Sequence, residues 1–455
     1  MDSVLGAGAA RGSIRPRSIA VIGQGIAGMS AAWLLSQNHK VTVYESEDRL
    51  GGHSHTVEAS GPDGALPVDM GFIVYNERAY PNLTALFRHL NVPTKASDMS
   101  FAVSLDNGAL EYGGTNLGSW FAQPSNLVNP RFWSMLSDLL RFYRKAPAHA
   151  CALDNSGASL GDYLSDQRYG LAFQDDHLLP QAAAIWSASV EAIREYPAAA
   201  FIRFCQNHGL FKIVGRPEWR TVDGGSRAYV KRLTAAYADR VSLGRPVRRI
   251  RRIGGRVQVT DHLGRMETFD DVVLACHADQ ALGMLDDPTA EERSLLGAFR
   301  YTRNHAVLHR DEGLMPSRKS VWSSWNYLGR QGHGGGGRQL CVTYWMNRLQ
   351  GLPGAPLFVT LNPIRPPRAG AIVRSEVYEH PLFDGPAMAA QKHLWSLQGV
   401  RNTWFCGAYF GSGFHEDGCQ AGLAVAEQLG GARRPWRVAD ENGRIHLTAP
   451  VPEAA

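Results

Sequence analysis

Among the 455 residues there is no apolar run of about 18, the length a helix needs to cross a bilayer. Any membrane contact is therefore expected to be peripheral. The six cysteines, at 151, 205, 276, 341, 406 and 419, form no CxxC pair. That spacing suits neither a zinc site nor a small disulfide framework, and reduced thiols in a cytoplasmic protein are the expectation. Strong charge is also missing. The 47 basic and 42 acidic side chains leave a net +5, too mild to imply nucleic acid but tolerant of an anionic membrane face. The opening "MDSVLGAGAARGSIRPR" lacks the apolar core of a secretory signal, so residues 1–17 are expected to be a disordered lead-in. No internal repeat occurs. What remains is an ordinary globular balance, 44% hydrophobic and 20% charged, long enough for two or three domains or one large α/β unit with insertions.

The pattern along the chain begins with a β-α-β unit: an apolar strand at 18–22, a helix at 26–36 and a strand at 41–44. Pro67–Asn76, "PVDMGFIVYN", reads as strand and turn. Pro81–Leu90 reads as a helix because Leu83, Leu86, Phe87 and Leu90 recur at helical spacing. Asn129–Lys145 is an amphipathic helix with Asn129 as N-cap and Pro130 at the first position. Helical character continues to about Phe211. Two roles stay open for the 129–145 helix: half-buried against its own core, the favoured reading, or lying on a membrane with arginines at the headgroups. Pro246–Cys276 reads as a three-stranded antiparallel ribbon entering a buried strand, "DVVLAC", and its basic run "RRIRRIGGR" reads as a solvated face. Gly332–Gly337 is a flexible loop without the preceding strand a phosphate loop requires.

Gly23, Gly25 and Gly28 form GxGxxG between the first strand and helix. The first glycine allows the tight turn, the second admits a pyrophosphate close to the backbone, and the third lets helix and strand pack. The helix N-terminus then offers free N–H groups and a positive dipole to the phosphates. Glu45, at the end of the second strand, suits two ribose hydroxyls and disfavours a 2′-phosphate, hence NADP. No second dinucleotide unit is found, which weakens an NADPH-dependent reductase.

The continuation "ESEDRLGGHSHT" places Arg49, Gly51 and Gly52 after Glu45. This E-x3-R-x-G-G resembles the fingerprint of the flavin-containing amine oxidase and phytoene desaturase superfamily. "VDMGFIVYN", with Met70, Gly71 and Phe72, resembles its D-x-G segment, and "FCGAYFGSGFHEDGCQAG" its closing flavin motif, with Gly407, Glu416, Asp417 and Gly418. The resemblance implies FAD held by these residues, with Val247 meeting the adenine through its backbone. It departs at His53, where superfamily members often carry arginine. His53 and His55 alternate along a loop, a pattern that more often means hydrogen bonding than metal ligation, and no metal is expected. "MGFIVYNERAYPN", "SDMSFAVSLDNG", "LHRDEGLMP" and "GFHEDG" are similar to the flavoprotein region of plant cyclopropane fatty acid synthases and to related stand-alone bacterial proteins. That closer resemblance implies a lipid or fatty acyl substrate and a fatty-acyl methyltransferase as partner.

The expected architecture is α/β. A Rossmann-type FAD-binding domain, parallel sheet plus antiparallel β-ribbon, is assembled from 18–90, 215–300 and 395–435. An interleaved α+β substrate domain comes from 91–214 and 301–394, and 436–455 is a tail. The expected activity is FAD-dependent oxidation, as desaturation, of a methylated or otherwise modified acyl chain of a membrane lipid. The expected place is the cytoplasm, with the inner membrane face as a peripheral option. The competing readings are a peroxide-releasing amine oxidase and a non-catalytic flavoprotein assisting a methyltransferase. Amine oxidases of the superfamily often carry a lysine on the strand matching "YTRNHAVLHRD", which has none; His309 is the candidate base, followed by Asp311. Phe414, with Tyr409 near it, is the candidate aromatic wall at the flavin. Glu416 and Asp417 either cap the closing helix or sit near the ribityl hydroxyls. Trp322, Trp325, Tyr327, Tyr344 and Trp345 suit an acyl tunnel or a core equally.

Overall fold

The structure, a computed structural model, describes residues 15–114, 116–186, 188–212, 215–330 and 339–447. Most of the expected disordered lead-in (1–14), the Gly332–Gly337 loop and the end of the expected tail (448–455) lie outside the described residues.

Ser18–Ile22 lies at the centre of a five-stranded parallel sheet, in the order Val241–Ser242, Lys40–Tyr44, Ser18–Ile22, Asp271–Leu274, Thr403–Phe405. The central strands read as continuous apolar runs because both faces are covered. Helix Ile26–Leu35 follows the first strand, is apolar all round and is buried throughout, as a helix packed on two sides must be. On one side it meets the sheet, on the other helix His415–Gln428, the closing helix. The two helices touch at backbone level: a Cβ on Gly422 would stand 2.1 Å from the Ala27 carbonyl oxygen. The expected ribbon is present as Val247–Ile253, Arg256–Asp261 and Met266–Phe269, and leads into Asp271–Leu274. Its basic run is only partly solvated. Arg252 is buried and paired with Glu292 and Asp287, while Arg249 and Arg251 are exposed.

A seven-stranded mixed sheet stands beside this unit, in the order Ile372–Leu382, Arg300–His309, Phe358–Leu361, Gln339–Trp345, Trp325–Arg330, Phe101–Leu105, Leu110–Gly113. Strands from both expected insertions share it, since Phe101–Leu105 pairs in parallel with Trp325–Arg330. The expected boundary at residue 90 cuts a small sheet in which Trp219–Val222 pairs with both Tyr75–Asn76 and Thr94–Ser97.

Helices fill 130–207. Asn129 caps the long one through its Oδ1, 3.0 Å from the Arg131 N–H. That helix runs to Ser156 and passes Pro147, well beyond the expected Lys145. Proline removes one backbone hydrogen bond, but buried Ala146 and Ala150 keep this stretch packed on helix Ala198–Asn207. Among the described residues no helix is long and apolar enough to cross a membrane.

Candidate flavin site

The glycine loop takes its shape from Gly23. Its φ of +94° is left-handed backbone, and its N–H reaches the Tyr44 carbonyl at 2.9 Å. A Cβ on Gly28 would lie 2.0 Å from the Gly23 oxygen, so the helix can start this close to the strand only with glycine there. Gly25 differs. It begins the helix with no side-chain cap, and a Cβ on it would meet nothing within 4 Å. An uncapped helix start facing open space is an anion site by construction.

Three further segments converge on it. Glu45 is buried at the end of Lys40–Tyr44; its Oε2 accepts from Gln24 N at 2.7 Å and its Oε1 from Glu47 N at 2.9 Å. A carboxylate has about four lone-pair sites, so acceptor capacity remains for ribose hydroxyls. The 242–247 strand entry passes alongside: Ser242 accepts from Glu45 N and Arg245 N donates to the Glu45 carbonyl, which brings Val247 to this end of the crevice. Arg49 Nη1 donates to the Gly52 carbonyl at 2.8 Å, Gly51 N donates to the Gln24 carbonyl, and Gly52 presses on Gly25. Met70 and Gly71 lie underneath, with Gly71 against the His53 carbonyl. From the far end of the chain, Gly407 approaches the Cys276 carbonyl and Gly418 meets Ile26. Uncapped amides, the open face of Gly25 and the buried Glu45 fit the pyrophosphate and ribose of FAD.

Several expected site residues have other duties. The Glu416 carboxylate caps helix Pro81–His89, accepting from Asn82 N, Asn82 Nδ2 and Leu83 N at 2.9–3.0 Å. Asp417 accepts from Phe414 N at 2.7 Å and so caps its own helix. Of the two readings left open for these residues, capping is the one their hydrogen bonds show. Phe72 stacks on His415 at 3.8 Å, and the His415 ring is further held by Ser54 and Tyr229.

The candidate base is corrected too. His309 is fully buried; its Nε2 bonds Thr360 Oγ1 at 2.7 Å and its Nδ1 accepts from Asp311 N at 3.0 Å. With both ring nitrogens engaged it has none left for a substrate, and burial pushes its pKa down to about 4. Against the opposing effect of burial, Arg365 and backbone N–H groups hold the Asp311 carboxyl well below its usual range, and it anchors Arg365 and Arg368. His309 ends strand Arg300–His309, about 17 Å along from Asn304, and Asp311 lies just beyond it.

Histidines gather behind the glycine pair. His53 follows the glycine pair; its ring lies 5.2 Å from Tyr378 and 5.3 Å from His380, and its Nε2 is sealed from solvent with no partner among the described residues. His380 Nδ1 accepts from Asn304 Nδ2 at 3.0 Å, and His277 stacks on Tyr301 at 4.2 Å. Burial lowers them all: His53 well below its ordinary value, with His380, His277 and His415 adding to the effect, His380 to about 4 and His415 to about 3. The site is thus walled by neutral imidazoles. Of these only His53 drew notice in the sequence, because it follows two glycines; His380 and Asn304 meet through a pairing of distant strands. Tyr409 is buried with its hydroxyl unpartnered, packed on Phe299 and Phe410. Phe414 stacks on Phe204 at 4.8 Å and borders Trp186 and His208. Trp322 and Trp345 are core, clustered with Met315 and Phe358, and Trp325 packs on Tyr344. Among the described residues no group of three or more His, Cys, Asp or Glu is arranged to hold a metal.

Residues 26–352 match the family described as flavin containing amine oxidoreductase. The chain belongs to this family. Its cofactor is FAD, and its architecture is a Rossmann-type FAD-binding domain with a substrate domain. A Mycobacterium tuberculosis protein named as a flavin-containing monoamine oxidase, AofH, is 27% identical over 285 residues, which is 60% of this chain and 60% of the relative. Rice polyamine oxidase 5 is 51% identical over 57 residues, 12% of this chain and 11% of the relative. Among solved structures, putrescine oxidase bound to putrescine gives a TM-score of 0.65 at 14% identity, covering 91% of this chain and 99% of that one. The conjugated-linoleic-acid-producing (CLA) fatty acid isomerase of P. acnes gives 0.63 at 16%, covering 90% and 97%. At such identities these structures establish the fold alone.

Proposed function

We propose that this flavoprotein is an FAD-dependent oxidoreductase that desaturates a methylated or otherwise modified acyl chain of a membrane lipid. The observation that carries the reading is the recess in front of Phe414. Trp186, Ile193, Tyr196, Thr302, Pro381 and Phe383 line it, and its lining holds no charged side chain. Trp186 borders the Phe414 ring, Phe383 lies against Gly413, and Thr302 pairs with His380. The recess holds only about 10 Å³ as it stands, so a chain would have to part its walls; its uncharged lining offers a protonated amine no carboxylate, whereas it matches a hydrocarbon.

Desaturation removes a hydride equivalent and a proton from adjacent carbons. A bound flavin supplies the two-electron acceptor. His53, kept neutral by burial and with no Nε2 partner among the described residues, is the candidate to hold the proton, and the substrate must reach this closed-off nitrogen to use it. The Asn304–His380 hydrogen bond fixes His380 with Nδ1 as acceptor, which orients that ring across the crevice from His53. The likeness to the flavoprotein region of plant cyclopropane fatty acid synthases points the same way and makes a fatty-acyl methyltransferase the supplier of the branched chain.

Anaerobic mixing of the purified protein with lipid extracts rich in methylated or cyclopropanated chains tests this. The flavin absorbance should bleach within the mixing experiment, and unsaturated product should accumulate. A flavin untouched by lipid but bleached by amines, with peroxide released in air, would replace the reading with the amine oxidase that the relatives' names suggest.

A further inference from the structure

The helical insertion carries a surface that its own core does not explain. Helix Pro130–Ser156 buries Phe132, Met135, Leu139 and Phe142, yet on another side Trp133 is 49% exposed and Leu140 is exposed too. They are seven residues apart and share a face, and exposed Arg144 follows on it one turn later. The approach to the helix adds more apolar surface: Leu127 is exposed and Val128 is 82% exposed. Trp133 Nε1 donates to the Leu127 carbonyl at 2.9 Å, which fixes this approach against the helix. The Phe121 ring, 5.6 Å from Trp133, ties in the short helix Leu117–Trp120, whose Leu117 is 78% exposed. Exposed Leu171 stands alongside, because Gly170 N donates to Asp138 Oδ2 at 2.7 Å.

Single exposed leucines are ordinary; a connected set around a tryptophan is not. Charge identifies what covers it. From Leu117 to His149 the chain has Arg131, Arg141, Arg144 and Lys145 against the single acid Asp138. Arg131 turns to Asp176, and Arg141 to Asp138 and the carbonyls of Gln167 and Arg168. Arg144 and Lys145 are exposed. An apolar face with a tryptophan anchor and a basic edge is complementary to an anionic bilayer, with hydrocarbon below and phosphate above.

We propose that this surface docks the protein on an anionic phospholipid membrane, with Leu117, Leu127, Val128, Trp133, Leu140 and Leu171 at the acyl boundary and Arg144 and Lys145 at the headgroups. The buried face of the same helix packs on Ala198–Asn207, the helix that carries Phe204 to Phe414. The inference stands on the surface itself and is compatible with the acyl-chain reading.

The test uses the full-length, FAD-loaded protein with vesicles of phosphatidylcholine, alone or mixed with phosphatidylglycerol, and measures co-sedimentation. Binding to the mixed vesicles should be at least about tenfold tighter than to the neutral ones and should weaken in about 1 M salt. Trp133→Ser with Leu140→Ser should weaken it about tenfold, with flavin absorbance unchanged and a slightly lowered melting temperature from the lost Trp133–Leu127 hydrogen bond. If that variant does not fold, Arg144→Glu with Lys145→Glu should give a comparable loss. Equal or absent binding to the two vesicle types, binding unchanged in the variants, or a solution dimer that the variants split would overturn the proposal; the last would make the face a contact between two copies. Sedimentation needs no turnover, so a protein that binds vesicles but is not reduced by lipid sinks only the substrate reading.

Discussion

The parallel-sheet unit and the seven-stranded sheet beside it are held together in different ways. In the first, crowding is at backbone level: Gly23, Gly28 and Gly422 let main chain touch main chain, and the resulting crevice is an array of amides. In the second, side chains decide. His309 bonds Thr360, Asp311 gathers two arginines, and Asn304 orients His380. The first region can hold a cofactor common to many proteins. The second is organised through pairings that no short motif announces.

The sharpest way to break the comparison is Gly28→Val. Overlap with the Gly23 carbonyl should cost about 3 kcal/mol or more, and the purified protein should be colourless with a lowered melting temperature. A variant that kept its flavin would mean the loop does not grip it. Next comes chemistry. His53→Ala should retain flavin but slow its anaerobic reduction about a hundredfold, whereas His309→Gln should change that rate less than about threefold. Equal effects would erase the distinction between a proton-holding histidine and a structural one.

His309 should show itself through acid instead. Its folded pKa of about 4 lies below the unfolded 6.5. The unfolded chain therefore binds the extra proton between those values, and stability is present above pH 6.5 and lost as pH falls through about 4. The loss attributable to this group is at most about 3 kcal/mol, and chemical denaturation across that window should show a flatter profile in His309→Gln. Glu45→Ala removes the acceptor for two backbone amides and should weaken FAD binding by about 2 kcal/mol, measured by titrating the apoprotein. The smallest effect expected is Asn129→Ala, about 1 kcal/mol from loss of the helix cap, with flavin content untouched.

The same contrast explains what the sequence disclosed. The glycine loop, Glu45, the ribbon and the Asn129–Pro130 helix start are local patterns, each contained in a short stretch, and the structure has them where expected. The Glu416 cap on helix Pro81–His89 joins residues 334 apart, and Thr302 pairs with His380 across the register of two long strands. Propensity and spacing carry no signal for such pairings, so His309, conspicuous on its strand, drew attention while the Asn304–His380 hydrogen bond went unread. The Asn129–Lys145 helix runs on past Pro147 to Ser156, where buried Ala146 and Ala150 hold it through.

The contact of Gly422 with Ala27 also bears on how the protein is made. Synthesis delivers the glycine loop early, but the edge strand Thr403–Phe405 and the helix that closes over it leave the ribosome almost four hundred residues later. Until then the opening unit waits with an apolar flank uncovered, the kind of long-range closure that slows folding in general. FAD can lock in only once the closing helix His415–Gln428 has packed on the glycine-loop helix.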